Sequence, residues 1–410
     1  MTEPVQHAER APAAPRTEHH HVVIVGGGSA GITVAARLRR ALGGSALALV
    51  EPSTRHYYQP LWTLAGGGVV DKRRSERPEA DLIPRGATWV QDAVAEFRPD
   101  DGYLLTAGGR RIGYDFLVVC PGIQLDWEAV PGLRESLGRE GVVSIWSYEH
   151  LDATWELIRE FRGGTAVFTF PSTPVKCPGA AQKIMYLAED HFRRTGVRER
   201  TQVIFASAAP SIYGVERYAK TLRAVVERKR IETRFRHNLI EVRPHAREAV
   251  FERLDGGEPV VIGYDLLHVC PPQSAPDVVK RSPLAAPSGW LDLDKHTLQH
   301  LRFPNVFGLG DAGSLPTAKT GAAVRAQAKV LVRNLLAARQ GRELPARYDG
   351  YTACPIVTGY GKLVLAEFDY DLTPRETFPF DQSKERRSMY LLKRYGLPLL
   401  YWQAMVRGRA

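Results

Sequence analysis

The sequence predicts an α/β protein with two Rossmann-like, doubly wound domains of the dinucleotide-binding type, followed by a C-terminal amphipathic helical region. A short apolar run over residues 21–25 leads directly into a glycine-rich turn, a helical pattern and a second strand. A second strand–helix–strand unit begins near Gly164. A late segment, 305–339, again reads as a strand, a glycine-containing turn and a helix. This return to the first pattern is typical of a chain in which one doubly wound domain interrupts another.

The length of 410 residues exceeds that of one ordinary domain. The first twenty residues lack the apolar segment of a secretory signal and the acid-poor, Arg-rich pattern of a mitochondrial transit peptide. We expect a disordered lead over 1–20, a discontinuous cofactor-binding domain over 21–135 and 290–345, a second Rossmann-like domain without a nucleotide loop over 136–289, and a C-terminal region over 346–410.

The four cysteines are widely spaced and form no CxxC motif. This spacing argues against a zinc site and against a disulfide scaffold, and we expect no metal centre. No apolar run approaches the ~20 residues that span a bilayer, so we expect no transmembrane helix. Residues 383–410 contain seven Lys or Arg and one acidic residue, and therefore carry +6 of the formal net charge of +10. The basic character is concentrated at the C-terminal end.

The glycine-rich turn has the spacing of a dinucleotide-binding motif, with Gly26, Gly28 and Gly31 between a strand and a helix. The first glycine permits a tight turn, the second lets the backbone approach a pyrophosphate, and the third lets the helix pack on the strand. The N-terminus of the helix offers free N–H groups to the phosphates. Glu51, at the end of the second strand, is placed to accept hydrogen bonds from ribose hydroxyls.

The late segment favours FAD over NAD as the bound cofactor. Asp311 lies at a strand–turn junction after two glycines, where an acidic residue of flavoproteins holds the ribityl chain. Lys319 could stabilise negative charge on the reduced flavin. In the second unit, residues 171–179 carry three prolines where a pyridine nucleotide would need a glycine-rich loop. The electron donor is therefore not expected to be NADH or NADPH.

Two cysteines are candidates for redox chemistry. Cys177 precedes a proline at the start of a helical pattern, which predicts a position at or near the N-cap, where the helix field and the adjacent Lys176 favour a thiolate. Cys354 also precedes a proline. Cys120 and Cys270 end apolar strands, and we expect them to be small buried residues.

Several segments resemble the mitochondrial-type, two-cysteine branch of the sulfide:quinone oxidoreductases, which are flavoproteins with two dinucleotide-binding domains. The segments are HYYQPLWTL, VFTFPSTPVKCPGAAQKIMYL, YTACPIVTGYGKLVLAEFDY and FPFDQSKERRSMYLLKRYGLPLLYW. The resemblance runs from about residue 21 to about residue 408. It implies non-covalent FAD and oxidation of hydrogen sulfide coupled to reduction of a membrane quinone. It also implies transfer of sulfane sulfur to a small acceptor such as a thiol or sulfite.

The resemblance also implies site residues. Cys177 and Cys354 match the two redox cysteines, which pass through a persulfide state. The sequence leaves open which of them faces the flavin and which carries the persulfide. The matching FAD-contacting positions are Ser29 and Ala30 within the glycine turn, Glu51, Gln59, Val94, Asp311 and Lys319.

The basic and apolar residues of the C-terminal region predict that it attaches to a membrane surface. Two short helices are expected, broken at residues 396–398, with an apolar stripe of Leu391, Leu392, Tyr395, Leu399, Trp402 and Val406. Basic residues with Trp and Tyr suit a membrane interface better than a nucleic acid. Phe378 and Phe380, just upstream, are candidates to line a quinone entry. We expect a peripheral enzyme on the cytoplasmic face of a bacterial inner membrane; a homo-oligomer is compatible with the sequence.

Two other functions share part of this pattern. A type II NADH:quinone oxidoreductase has the same FAD half and membrane region, but it needs a second glycine-rich loop and has no need of Cys177 or Cys354. A flavoprotein that no longer turns over and serves as a redox sensor would bind FAD without sulfide-dependent quinone reduction. The flavin response to NADH and a sulfide assay separate the three.

Overall fold

The computed structural model describes residues 17–410. Residues 1–16 of the expected disordered lead lie outside this range. The last residues of that lead, 17–20, differ from the expectation because they belong to the first strand, β1 (Thr17–Val25), and pair in parallel with the strand over Arg111–Val119. The apolar run that suggested a start at residue 21 is the buried half of a longer strand.

Strands and helices alternate along most of the chain. The remaining strands of the first part are β2 (Leu47–Val50), β3 (Arg55–Tyr57), β4 (Glu76–Pro78), β5 (Thr88–Val90), β6 (Val94–Arg98), β7 (Tyr103–Thr106), β8 (Arg111–Val119), β9 (Gln124–Leu125) and β10 (Val142–Val143). Those that follow are β11 (Gly164–Phe170), β12 (Thr201–Ser207), β13 (Glu232–Phe235), β14 (His237–Arg243), β15 (Glu248–Arg253), β16 (Val260–Gly263), β17 (Leu266–His268), β18 (Gln273–Ser274), β19 (Val306–Gly308), β20 (Thr352–Gly359) and β21 (Lys362–Phe368). The helices are α1 (Ser29–Leu42), α2 (Trp62–Gly66), α3 (Leu133–Ser136), α4 (Leu151–Glu160), α5 (Ala180–Arg194), α6 (Glu216–Arg228), α7 (Asp277–Lys280), α8 (Gly321–Ala338), α9 (Arg387–Leu391) and α10 (Leu397–Leu400).

The first domain is built on a seven-stranded sheet in the order β5-β2-β1-β8-β7-β6, with β19 added beside β8. Its central pairs, β1 with β2 and β1 with β8, are parallel. The pairing of β19 with β8 returns the late segment to this sheet, as the sequence pattern indicated. Val22, Val23 and Ile24 are fully buried because both faces of the sheet are covered.

The second domain is built on a five-stranded parallel sheet in the order β10-β17-β11-β12-β13. A three-stranded antiparallel sheet, β14-β15-β16, is inserted in the chain between β13 and β17. The helix α5 lies directly after β11, at the carboxyl end of a central strand of this sheet. In doubly wound folds ligands bind at that end, so α5 begins at the expected place for a site.

The C-terminal region does not stand apart from the two domains. The hairpin β20–β21 packs on α5, and Cys354 and Ile356 belong to the hydrophobic core of the second domain. Tyr390, Tyr401 and Met405 belong to the core of the first domain. This region therefore joins the two cores rather than forming an appendage beside them.

The tail is one continuous helical run over residues 387–405, so the expected break at residues 396–398 is wrong. The α-helical turns of α9 and α10 alternate with two π-helical turns, Leu392–Gly396 and Tyr401–Met405. Pro398 lies in the first turn of α10, where a missing N–H is tolerated, and the wider turn before it accommodates the proline ring.

One side of this run is exposed and the other is buried. The apolar side chains at 391, 395 and 399 are exposed, whereas Val406 is buried and Trp402 is half-buried. Lys393, expected near the polar side, is 4% exposed, and its Nζ donates to the carbonyl of Pro60 at 2.9 Å. Within residues 17–410 no helix combines the length and the apolar character needed to cross a bilayer.

Candidate active site

The glycine turn after β1 has the geometry that its motif predicted. Gly26 has a φ of +101°, and a Cβ there would lie 2.3 Å from the carbonyl oxygen of Cys120. A Cβ on Gly31 would lie 1.8 Å from the carbonyl oxygen of Gly26. A Cβ on Gly28, by contrast, would meet no protein atom within 4 Å. The turn therefore packs tightly against the sheet on one side and leaves open space at Gly28.

The N-terminus of α1 is open to an anion. Gly28 is the N-cap and has no side chain to cap the helix, so the N–H groups of the first turn, from Ser29 and Ala30 onward, have no capping acceptor from that position. Free N–H groups and the positive end of the helix dipole form a phosphate site. The space at Gly28 lies at this helix end.

Glu51 is fixed beside the turn by backbone donors. Its carboxylate accepts hydrogen bonds from the N–H of Gly27 at 2.6 Å and the N–H of Ser53 at 2.7 Å. Burial raises the pKa of Glu51, although these two N–H groups oppose the shift. The buried Oε1 of Glu79 lies close to Gly27 and has no hydrogen-bond partner among the described residues. Two carboxylates thus face the turn, and one oxygen is left for a donor from outside the chain.

A buried polar network joins the turn to the C-terminal run. His56 is 2% exposed; its Nδ1 contacts the carbonyl of Gly27 at 3.0 Å and the carboxylate of Glu79 at 3.1 Å. Its Nε2 hydrogen-bonds the hydroxyl of Tyr401, which also hydrogen-bonds the Oγ of Ser29 at 2.8 Å. No local pattern predicts this network, because Tyr401 lies more than 300 residues from the other members in the chain.

Two further predicted FAD contacts lie on the same domain. Gln59 begins an exposed 3₁₀ turn, Gln59–Leu61, and Val94 begins β6 and packs half-buried on the first core. Gln59 comes shortly after β3 in the chain, and Val94 comes shortly after β5. Their contact with a cofactor stays a prediction.

Asp311 and Lys319 follow β19, at the same carboxyl edge of the first sheet as the glycine turn. Burial raises the pKa of Asp311, against the nearby charges of Lys319 and Lys176. The Nζ of Lys319 donates to the carbonyl of Gly313 at 2.8 Å and lies 3.9 Å from the centre of the Trp290 ring. Burial lowers the pKa of Lys319 to about 8. A buried acid and two buried lysines therefore surround one region of the cleft between the domains.

A backbone contact ties this region to the first cysteine. The N–H of Cys177 donates to the carbonyl of Lys319 at 2.8 Å, within a short parallel bridge between Lys176 and Lys319. Cys177 itself has a φ of +48°, in the left-handed region. This contact fixes the cysteine segment of the second domain against the predicted flavin loop of the first domain.

The fold brings the two predicted redox cysteines together. The Sγ atoms of Cys177 and Cys354 are 4.0 Å apart, although 177 residues separate them in the chain. Cys354 lies in β20 and is fully buried, whereas Cys177 is half-buried. A Cβ on Gly179 would lie 2.7 Å from the Cys354 sulfur, so a glycine at this position leaves room for the pair.

Lys183, which the sequence analysis missed, stabilises the Cys177 thiolate. Its Nζ lies 3.0 Å from the Cys177 sulfur. Hydrogen bonding from Cys354, together with the charge and hydrogen bond of Lys183, holds the pKa of Cys177 well below its ordinary value. The hydrogen bond to Cys177 and burial raise the pKa of Cys354. The two thiols are therefore inequivalent, with the anion at Cys177.

Cys177 was expected at or near the N-cap, and it lies two residues before it. The helix α5 begins at Ala180 with Gly179 as its N-cap, because the left-handed backbone of Cys177 cannot continue a helix. The adjacent Lys176 is buried near Asp311 and lies between the rings of Trp62 and Trp146, which accounts for its limited effect on the thiolate. Lys183, in the first turn of α5, takes the role expected of Lys176.

Two further groups approach the pair. Lys393 of the tail is buried, and burial together with the charge of Lys183 lowers its pKa to about 7. The hydroxyl of Tyr213 lies beside the Cys354 sulfur and has no hydrogen-bond partner among the described residues. A cavity of about 520 Å³ is lined by Tyr213, Pro178 and Lys319 among others, and so lies beside the segment that carries Cys177.

The other cysteines are buried, as predicted from their strand ends. Cys120 is 3% exposed behind the glycine turn, and Cys270 is 2% exposed after β17. Burial raises the pKa of both thiols, which keeps them protonated and unreactive. Phe378 and Phe380 stack on each other with ring centres 5.3 Å apart. They pack half-buried on the first core, and their contact with a quinone stays a prediction.

The residues present fit FAD. The open space at Gly28 and the uncapped α1 suit the pyrophosphate, and the Glu51 carboxylate with the unpartnered Glu79 oxygen suits the ribose end. Asp311 and Lys319 lie at the other end of the cleft, beside the cysteines. A dinucleotide bound at the turn would extend from these carboxylates towards the two thiols.

Comparison with known proteins identifies the family. Residues 20–156 match the family model described as pyridine nucleotide-disulphide oxidoreductase. The mitochondrial sulfide:quinone oxidoreductase of Mus musculus is 50% identical over 379 residues, which cover 92% of this chain and 84% of the mouse protein. The chain belongs to the sulfide:quinone oxidoreductase family. The mitochondrial sulfide:quinone oxidoreductase of Dictyostelium discoideum is 46% identical, again over 92% of this chain and 84% of that protein.

The solved structures agree on the fold of this sulfide:quinone oxidoreductase family member. The sulfide:quinone oxidoreductase of the hyperthermophilic bacterium Aquifex aeolicus superposes with a TM-score of 0.79 at 20% identity, covering 95% of this chain and 91% of that one. The resemblance inferred from the cysteine motifs is thereby confirmed at the level of family and fold. The family is one of flavoproteins, and FAD is the cofactor of this enzyme.

Proposed function

We propose that the protein oxidises hydrogen sulfide and reduces a membrane quinone through the Cys177–Cys354 pair. The observation that carries this proposal is the pair itself: two sulfurs 4.0 Å apart, with a lysine ammonium 3.0 Å from one of them. Such a pair can be oxidised and reopened by sulfide without a metal ion. The relatives carry this activity in their names.

The sulfur chemistry follows from the inequivalence of the two thiols. Hydrosulfide attacks the sulfur of Cys354 in the oxidised pair, the bond to Cys177 breaks, and Cys177 leaves as a thiolate paired with the Lys183 ammonium. Cys354 then carries the sulfane sulfur as a persulfide. A thiol or sulfite takes that sulfur. With a thiol, the overall change is sulfide plus thiol plus quinone giving a persulfide and a quinol.

Residues of the cleft stabilise the charges that develop during this cycle. Lys183 keeps Cys177 ionised, and Tyr213 is placed to donate a hydrogen bond to the sulfur of Cys354. Bound FAD supplies two-electron transfer from sulfur to quinone. Lys319 places a cation at the end of the cleft where negative charge would develop.

The cavity beside Tyr213 supports access for the sulfur acceptor. Its walls include Pro178, next to Cys177, and it is open to solvent. Its volume of about 520 Å³ accommodates a small thiol or sulfite. Entry at this side would leave the tail side for the quinone, so the two half-reactions need not share a pocket. The stacked Phe378 and Phe380 remain our candidates for the quinone entry.

The exposed apolar side chains of the tail support peripheral membrane attachment. Leu391, Tyr395 and Leu399 are between 44% and 64% exposed on a helical run rich in basic residues. We propose that these side chains attach the enzyme to a membrane surface. The relatives above are named as mitochondrial, so the cytoplasmic face of a bacterial inner membrane stays a prediction, as does a homo-oligomer.

A steady-state assay with sulfide, a short-chain quinone and a panel of acceptors tests the proposal. We expect quinone reduction that requires sulfide and accelerates with a thiol or with sulfite. Bleaching of the flavin by NADH, with no response to sulfide, would instead identify a type II NADH:quinone oxidoreductase. A yellow protein with neither response would be a redox sensor.

A further inference from the structure

A basic groove lies where the tail, the β20–β21 hairpin and the C-terminal end of α5 meet. The groove measures about 940 Å³. Four cationic side chains line it: Arg194, Lys362, Arg387 and Arg394. The one acidic residue in its lining is Glu385, whose carboxylate already accepts hydrogen bonds from Arg228 and from the hydroxyl of Thr358. The groove therefore has a net positive charge that the chain does not neutralise.

Several polar groups of the groove lack partners within the described chain. The Nε of Arg394 and the Nε2 of His191 are buried and have no hydrogen-bond partner. Lys362 and Arg387 are exposed and form no salt bridge there. Unused donors on a buried guanidinium cost free energy unless something accepts from them. An anion in the groove would pair with the exposed cations of Lys362 and Arg387.

The groove opens beside the exposed apolar side chains of the tail. Leu391 belongs both to the groove and to a row of residues four apart that includes Tyr395 and Leu399. Leu399 is 64% exposed, which is unusual for a leucine on a helix that packs on its own protein. A ligand bound in the groove would therefore contact cations at one end and the exposed apolar side chains of the tail at the other.

The groove is separate from the sulfur chemistry. Arg194 ends α5, whereas Lys183, which contacts Cys177, lies in its first turn. Eleven residues of helix separate the two, or about 16 Å. The anion site and the cysteine pair lie at opposite ends of one helix.

We propose that this groove binds the phosphate headgroup of an anionic phospholipid. Phosphate oxygens accept well from guanidinium groups, and the acyl chains would continue along Leu391, Tyr395 and Leu399. A free phosphate would use the cations alone and leave that apolar row uncovered. A quinone ring needs apolar walls and few donors, which this groove does not offer. The site would orient the tail on membranes that carry anionic lipid.

Vesicle co-sedimentation of the FAD-loaded protein tests the proposal. One double variant, Lys362→Gln with Arg387→Gln, removes two exposed cations from the groove. The matched control, Arg247→Gln with Arg253→Gln, removes two exposed cations from β15 and the turn before it. Each protein is sedimented with vesicles of phosphatidylcholine alone and of phosphatidylcholine mixed with phosphatidylglycerol.

The expected result is specific to the groove and to the anionic lipid. The groove variant should lose about 25-fold in partitioning onto the mixed vesicles, at about a factor of five for each of the two cations near an anionic surface. Its partitioning onto phosphatidylcholine should be unchanged, and the control should keep most of its binding to both. Sedimentation needs no turnover, so this readout does not depend on the proposed activity. The KM of the groove variant for a short-chain quinone in detergent should equal that of the parent.

Three results would overturn the proposal. Equal losses in both double variants would indicate diffuse electrostatic attraction rather than a site. A raised quinone KM in the groove variant would assign the groove to the quinone. Thermal stabilisation of the parent, but not the groove variant, by inorganic phosphate, with no preference for phosphatidylglycerol, would identify a soluble phosphate as the ligand.

Discussion

The hydroxyl of Tyr401 hydrogen-bonds the Oγ of Ser29 at 2.8 Å. The C-terminal tail therefore contacts the glycine turn near the start of the chain, where α1 begins. The same hydroxyl contacts His56, which holds the carbonyl of Gly27. Gly408 packs against the backbone of α1, and Arg40 donates to its carbonyl at 3.1 Å. The tail is thus part of the wall around the predicted FAD site as well as a surface for a membrane.

Tyr401→Phe should weaken both the fold and FAD binding. The change leaves His56 and Ser29 without a buried partner, which costs about 1–3 kcal/mol. Urea denaturation and FAD titration of the apoprotein measure the two effects. Tyr395→Phe is the control, because Tyr395 is half exposed and should tolerate the change. Equal FAD affinity in Tyr401→Phe and the parent would show that the network does not support the turn.

Gly28→Ala should lose FAD without loss of folding. The backbone of Gly28 has φ −66° and ψ −169°, which alanine can adopt, and its Cβ would enter only the open space of the turn. The free energy of unfolding of the apoprotein should change by less than about 0.5 kcal/mol. Gly31→Ala should instead destabilise the apoprotein, since its Cβ overlaps the carbonyl of Gly26. Full flavin absorbance in purified Gly28→Ala would contradict the placement of the pyrophosphate.

Cys177→Ser and Cys354→Ser should each abolish sulfide-dependent quinone reduction and retain FAD. A chemical step that depends on one nucleophile falls by more than about 10³-fold when that nucleophile is removed. Cys120→Ser and Cys270→Ser should keep most activity, because both thiols are buried and protonated. The readout is quinol formation at saturating sulfide. Near-normal turnover of Cys354→Ser would exclude the two-cysteine mechanism.

Alkylation of the reduced protein should show an ionised Cys177 below the ordinary thiol range. The pKa of Cys177 is lowered from 9.0, so its thiolate persists as the pH falls below 9 and is lost only at the lower value. The rate with iodoacetamide should therefore fall less below pH 9 than that of an ordinary thiol. Lys183→Met should move the rise in rate to higher pH. An identical profile in both proteins would remove Lys183 from its proposed role.

A triple variant should release the protein from membranes while FAD remains bound. It combines Leu391→Gln, Tyr395→Gln and Leu399→Gln. These side chains are exposed, so their replacement removes apolar contact with lipid without opening the core. Deleting residues 383–410 is a poorer test, because it also removes the buried Tyr401, Met405 and Val406. We expect that deletion to cost FAD as well as membrane binding. Fractionation on a sucrose gradient with flavin fluorescence separates the two effects.

The local features of the site could be predicted from the sequence, whereas its long-range contacts could not. Gly26, Gly28, Gly31 and Glu51 carry a motif whose spacing reports backbone geometry directly. Cys177 and Cys354 stood out through the segments around them. Lys183 carried no comparable signal, because its contact with a sulfur depends on the left-handed turn at Cys177. That turn also explains why the helix begins later than the pattern indicated.

The tail shows the same division. Its amphipathic composition predicted a helical surface region, but Gly396 and Pro398 suggested a break. The helical run instead continues through these residues with two π-helical turns, which its composition did not predict. The buried Lys393 donates to the carbonyl of Pro60, a long-range contact that the helical stripe could not reveal.

The contact between Tyr401 and Ser29 also sets the order of events during biosynthesis. The glycine turn leaves the ribosome early, yet its polar network stays incomplete until residues 401–408 have been translated. A nascent chain therefore presents strands and helices of the first domain well before it presents a finished binding site. Tight flavin binding should then follow complete translation, and a chain truncated shortly before Tyr401 should bind FAD more weakly than the parent despite containing every residue of the nucleotide motif.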